Sequence, residues 1–223
     1  MSPPASSTTT SVPSWLHGVW CRNWIKRYSP SSQEITRPSD INTTVLYVQS
    51  RYFFVDVRNN ESDKAGILAF GGVTAVAGSL VKWHQLLELN QPPASFERWE
   101  NAMKGRPDST EDTGEFTLTR DNEYMETAPD GSLAESWSLI THKTKDTKEL
   151  AMVRKQEGIF VVVGDKWAVA DGELYCAGRV DGWIVEVDPT GILRAGSTLK
   201  FPSKRRDWKV MDDDGIVLPD ELF

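Results

Sequence analysis

Three side chains able to move a proton or grip an oxygen stand beside indole rings in this 223-residue sequence. Arg22 lies two residues after Trp20, His84 follows Trp83, and Glu135 precedes Trp137 by two. An imidazole exchanges protons near neutral pH, and a carboxyl whose pKa is raised by burial serves as a general acid. A guanidinium holds oxygen atoms on which charge develops. His84, Arg22 and Glu135 are therefore the candidate catalytic residues. Tyr47 and Gln49 share one face of an extended segment, and Phe54, Asp56 and Arg58 share a face of the next, because alternate strand residues point the same way. With Trp20, Trp83 and Trp137, the residues Tyr47, Gln49, Phe54 and Arg58 form a candidate substrate-binding set of rings with a few fixed polar groups, the composition of a small-molecule site. The same residues admit a structural reading, in which the tryptophans pack a core, His84 is a satisfied core histidine, and Arg22 and Arg58 pair with Asp56 or a glutamate.

Other chemistries find no support. The Gly71-Gly72 pair has no helix after it on which to seat a phosphate. No Gly-x-Ser-x-Gly elbow is present. His17, His84 and His142 lack ligand spacing, so no metal site is expected, and no cofactor. The 32 acidic and 25 basic residues, net charge -7, are mixed along the chain rather than drawn into a basic stripe, which argues against nucleic acid. Apolar runs reach strand length only, as in Gly158 to Gly164, well short of the roughly 20 residues of a membrane-spanning helix. Residues 1–14 are rich in Pro, Ser and Thr without a charged start or apolar centre, and read as a disordered tail. Cytoplasmic residence is the expectation, with Cys21 and Cys176 as free thiols. Monomer and homodimer are equally compatible with the sequence.

The elements that must position these groups are strands. Runs rich in Val, Ile, Thr, Tyr, Phe and Trp alternate with Gly, Pro, Asn and Asp turns. Thr44–Gln49 and Tyr52–Arg58, separated by Ser50-Arg51, read as a hairpin. Further strands are expected at 67–70, 73–77, 80–89, 114–120, 123–128, 134–142, 149–155, 159–163, 166–170, 183–188 and 208–211, with Gly71-Gly72 as a turn. Phe96, Trp99 and Met103 recur at helical spacing, predicting one short helix that plugs a barrel mouth, and a second helix is expected at 174–179. So many antiparallel strands must pack as two sheets or close on themselves, because open edges invite aggregation. The expectation is an all-β, closed antiparallel barrel of about eleven strands, occupying residues 15–223 as one domain.

Several segments carry a resemblance: Gly18 to Arg22, Thr44 to Gln49, Phe54 to Arg58, Leu68 to Gly72, Trp83 to Glu88, Glu135 to Trp137, Gly158 to Trp167, Gly196 to Thr198 and Trp208 to Val210. Together they resemble a lipocalin-like barrel family of fungi and bacteria, and within fungi the hetero-Diels–Alderases of tropolone–sesquiterpenoid biosynthesis. The resemblance implies dehydration of a hydroxymethyl tropolone to a quinone methide, then cycloaddition to a humulene-type alkene. It implies a small, apolar substrate of polyketide or terpene type, and it carries over no catalytic motif. A non-catalytic binder of an apolar ligand and an interaction scaffold are the other classes that such a barrel serves.

Overall fold

The structure is a computed structural model that describes residues 12–35, 43–60, 68–105, 112–142, 144, 146–172 and 174–223. Residues 1–11 of the expected tail, and Ile67, lie outside the described residues.

Eight antiparallel strands close a barrel. They are β1 (Gly18–Tyr28), β3 (Thr43–Gln49), β4 (Phe53–Asn60), β5 (Ala69–Ala77), β6 (Leu80–Glu88), β7 (Asp112–Arg120), β8 (Glu123–Thr127) and β9 (Leu133–His142), each bonded to the next. Pairing of β1 with β9, from Gly18↔His142 to Arg27↔Leu133, shuts the ring. The two-residue β2 (Glu34–Ile35) hangs on the end of β1. The hairpin through Ser50-Arg51 forms as expected, with Gln49 opposite Phe54. The Ser50 hydroxyl accepts from the Phe53 N–H and donates to the Phe53 carbonyl, so the turn is locked by its own first residue.

Closure takes eight strands, not eleven, because the remaining strands build a second sheet. Its order is β14 (Ile184–Val187), β13 (Leu174–Arg179), β12 (Lys166–Asp171), β11 (Gly158–Val163), β10 (Glu149–Arg154) and β15 (Lys209–Asp213). One face packs on the outer wall of β3 and β4, where Val48, Phe53, Val55 and Val57 meet Ile159, Val161 and Ala168. The other face carries Phe160, Trp167 and Cys176 and is covered by Phe201, Trp208 and Leu222 from the C-terminal segment. Every residue of β11 and β12 is consequently buried. A strand covered on both faces needs no alternation, which is why Gly158 to Val163 is a continuous apolar run.

Three local expectations are corrected. Residues 174–179 are β13, paired along β12 from Leu174↔Asp171 to Arg179↔Lys166, not a helix. The short helix α1 (Phe96–Met103) exists, with the Ser95 hydroxyl accepting from the Arg98 N–H at its start. It does not plug the barrel: Trp99 and Ala102 join the apolar layer between barrel and second sheet. Gly71-Gly72 is no turn but the middle of the continuous β5. There β6 bulges, its register shifting between Gly71 and Gly72, and the backbones approach so closely that a Cβ on Gly72 would sit 1.8 Å from the His84 carbonyl oxygen. Gly72→Ala is thus expected to destabilise by about 3 kcal/mol or more, since the obstacle is backbone and cannot rotate away. Urea unfolding of the variant measures this, and a loss within about 0.5 kcal/mol would show that the bulge yields freely.

Candidate functional site

The inward residues of the eight strands follow the period of two. β1 contributes Trp20, β3 Tyr47, β4 Phe54, β5 Phe70, β6 Trp83, β7 Phe116 and β9 Trp137, all in one buried cluster. Val12 and Leu16 belong to the same cluster, so residues 12–14 of the expected tail include a buried anchor, and the Leu16 carbonyl accepts from the Trp20 indole N–H at 3.0 Å. Trp15 stacks on Tyr124 with ring centroids 5.8 Å apart. This segment seals the barrel end from which β1 starts.

A cavity of about 260 Å³ occupies the lumen. Trp20, Tyr47, Trp83, Phe116 and Trp137 wall its inner part, while Arg27, Glu88, Asp112 and Leu133 stand toward the ends of their strands and Leu68 just ahead of β5. Tyr47 is held by a chain of hydrogen bonds. Its hydroxyl accepts from the Trp83 indole N–H at 3.1 Å and donates to Gln49 Oε1, which also accepts from Thr74 Oγ1 at 2.7 Å. The Gln49 amide then donates to the Ser50 carbonyl at 2.7 Å, so every polar atom of this fully buried glutamine is occupied. Burial raises the Tyr47 pKa, which keeps the phenol neutral.

The acidic groups are the distinctive part. Glu126 on β8 and Glu135 on β9 are direct cross-strand partners, and both line the cavity at 6 % and 3 % exposure. Like charges in that relation repel, and burial removes the water that would screen them. The conflict is resolved by unequal partners. Glu135 accepts from Arg22 at 2.9 Å in a pair whose side chains are both buried. Among the described residues Glu126 has no cation in contact and accepts only the Trp137 indole N–H, at 2.9 Å on Oε2. Burial first, then the charges of Glu135 and Asp112, push the Glu126 pKa well above the usual carboxylate value. Gly114 on β7 makes room for this side chain, since a Cβ there would lie 2.7 Å from Glu126 Cγ. On β4, Arg58 clasps Asp56 through two hydrogen bonds of 3.0 and 2.8 Å and lies 5.0 Å over the Phe70 ring. Its pKa is raised: burial works against the charge, and the Asp56 carboxylate outweighs burial.

The structure brings most of the sequence-derived site together. Trp20, Tyr47, Arg58, Trp83, Glu135 and Trp137 line the cavity. Phe54 packs beneath, its ring 5.6 Å from Tyr47, and Gln49 supports Tyr47 from the same face. Arg22 acts through Glu135 rather than on the cavity. His84 is buried but, as the neighbour of inward-facing Trp83, is carried by the strand alternation to the outer side of β6, so it does not join the site. Glu126, Asp112 and Phe116 were not among the sequence candidates. The available signal was the Tyr124-Met125-Glu126 alternation, which puts a carboxyl on an aromatic face.

Comparison with protein-family models and with curated proteins gives no match. Among solved structures the chain is similar to the uncharacterized protein YLR301w from Saccharomyces cerevisiae, with a TM-score of 0.50 and 12 % sequence identity over 88 % of this chain and 98 % of that chain. At that identity the likeness is one of fold: this chain is a closed antiparallel β-barrel resembling an uncharacterized yeast protein.

Proposed function

We propose that the barrel is a cofactor-independent enzyme that dehydrates a hydroxymethyl tropolone and directs the resulting quinone methide into a hetero-Diels–Alder addition to a humulene-type alkene. The observation that carries this reading is the pair of facing carboxyls inside an aromatic cavity, one tied to an arginine and the other left to keep its proton. Glu126 gives that proton to the hydroxymethyl oxygen, the C–O bond breaks, and water leaves. The ring hydroxyl then returns a proton to the Glu126 carboxylate, and a neutral quinone methide remains. Cycloaddition forms one C–O and one C–C bond with no further proton movement. Glu126 takes the acid role for which His84 and Glu135 were the sequence candidates.

The walls suit the second step. Rings that hold two apolar reactants in register supply part of a bimolecular barrier, for which well-oriented reactions gain about 7–11 kcal/mol. Leu68 and Leu133, at the far end of the cavity, form an apolar shoulder for the alkene. Mixing the purified protein with hydroxymethyl tropolone and humulene tests the reading. One stereoisomer of the adduct, formed faster than in buffer, is the expected result. A rate and isomer mixture equal to buffer would leave a ligand-binding barrel without turnover.

A further inference from the structure

We infer that the lumen is a cation site: it selects small organic cations over neutral and anionic molecules of the same shape. The cation it meets in turnover is the ring-conjugated carbocation formed as the hydroxyl departs, a second step that rests on the dehydration reading above.

The argument starts from the charge inventory of the wall. Five carboxyl-bearing residues line the cavity, Asp56, Glu88, Asp112, Glu126 and Glu135, against two arginines, Arg27 and Arg58. Arg58 is consumed by its two-point clasp on Asp56. Arg22, behind the wall, neutralises Glu135. Glu88, Asp112 and the proton-holding Glu126 then remain against Arg27, so the balance of the wall is acidic even with that proton in place, and it is interleaved with ring faces that are themselves electron-rich. A cation over an aromatic face within about 6 Å is attracted by the ring quadrupole, most strongly where water is excluded. The wall already shows this contact, with the Arg58 guanidinium 5.0 Å above Phe70. Trp20, Tyr47, Trp83 and Trp137 offer further rings around the same space. An anion entering here would meet carboxylates that repel it and, in Arg58, a guanidinium already engaged by Asp56.

The Glu126 carboxyl supplies the second line. It lies more than nine-tenths buried on the cavity wall, and its Oε1 accepts no hydrogen bond from the described residues. A cation placed beside it removes the reason for keeping the proton. Cation binding and proton release from Glu126 are therefore coupled, as linkage requires.

Calorimetric titration of the intact protein at pH 7 with benzylammonium, benzyl alcohol and benzoate tests the selection. Benzylammonium is expected to bind about tenfold tighter than benzyl alcohol, with benzoate weakest. Repeating the benzylammonium titration in buffers of different ionisation enthalpy should show proton release, and Glu126→Gln should abolish that release. Asp112→Asn, at the exposed start of β7, should weaken benzylammonium several-fold while leaving benzyl alcohol unchanged, which keeps the test intact if the Glu126 variant does not fold. Benzyl alcohol or benzoate binding as tightly as benzylammonium would overturn the cation site. Cation selection without any turnover of the tropolone upholds the site and removes only the dehydration. Turnover without cation selection removes the site and upholds the dehydration.

Discussion

On the proposed dehydration, Glu126→Gln is expected to lower the rate of quinone methide formation by about 10²–10⁴, the range that a single positioned proton donor supplies. Glutamine keeps the shape and still accepts from Trp137 through its carbonyl oxygen, so the cavity survives while the acid is gone. Cycloaddition of a quinone methide generated without the protein's help should then proceed on the variant at close to the native rate. The wild-type dehydration rate should fall with rising pH as Glu126 loses its proton, and the variant should show no such limb. Stability follows the same group with a definite sign. The unfolded chain releases this proton near the ordinary value of 4.5, whereas the folded chain holds it to a higher pH. Folding therefore takes up a proton between those two values, and Glu126 costs stability as pH rises through that window. Thermal melts should show Glu126→Gln stabilising the protein at pH 8 relative to wild type and leaving it close to wild type at pH 4. An equal dehydration rate in variant and wild type would remove Glu126 from the chemistry.

Much of the barrel was legible because its strands are covered differently on two sides. Trp20 with Arg22, Tyr47 with Gln49, and Phe54 with Asp56 and Arg58 mark one face by simple alternation, and that face does line the lumen cluster or its polar supports. The second sheet was harder to tell from barrel wall. β11 is apolar throughout and β12 is apolar between Lys166 and Asp171, and a continuous run states that both faces are covered without saying by what. Residues 174–179 misled for a related reason: Leu174, Tyr175, Cys176 and Ala177 are all buried, so they show neither period. Gly71-Gly72 looked like punctuation because a glycine pair signals either a turn or a close approach, and only the His84 carbonyl opposite decides between them. Within the site, a sequence shows that a carboxyl is inward but not which carboxyl faces it. Glu126 and Glu135 stand nine residues apart in sequence, and their opposition comes from the β8–β9 register, set by the turn near Pro129-Asp130-Gly131. His84 was favoured by its residue type beside Trp83, yet adjacency along a strand separates side chains rather than joining them.

Arg22→Ala is expected to cost about 3–5 kcal/mol of folding stability, because it strands the Glu135 carboxylate without its partner in a buried place. Both side chains of the pair are nearly inaccessible, at 5 % and 4 % exposure, so water cannot replace the lost guanidinium. Glu135 also faces Glu126 across the strand pair, and two buried carboxyls would then compete for protons. The variant escapes part of the penalty by protonating Glu135, so its deficit in chemical unfolding should be smaller at pH 4.5 than at pH 8. A loss below about 1 kcal/mol at pH 8 would show a pair screened by solvent, of the kind found on protein surfaces. Arg22→Met combined with Glu135→Leu removes both charges together, and is expected to recover most of the stability, as apolar replacements of buried ion pairs do. That double variant separates scaffold from chemistry. It is expected to fold, but the Glu135 charge that helps to hold the proton on Glu126 is gone, so its alkaline loss of dehydration should move to lower pH than in the wild type. A stable double variant with an unshifted pH profile would mean that burial and Asp112 set Glu126 without Glu135, and would confine Arg22 and Glu135 to holding β1 against β9.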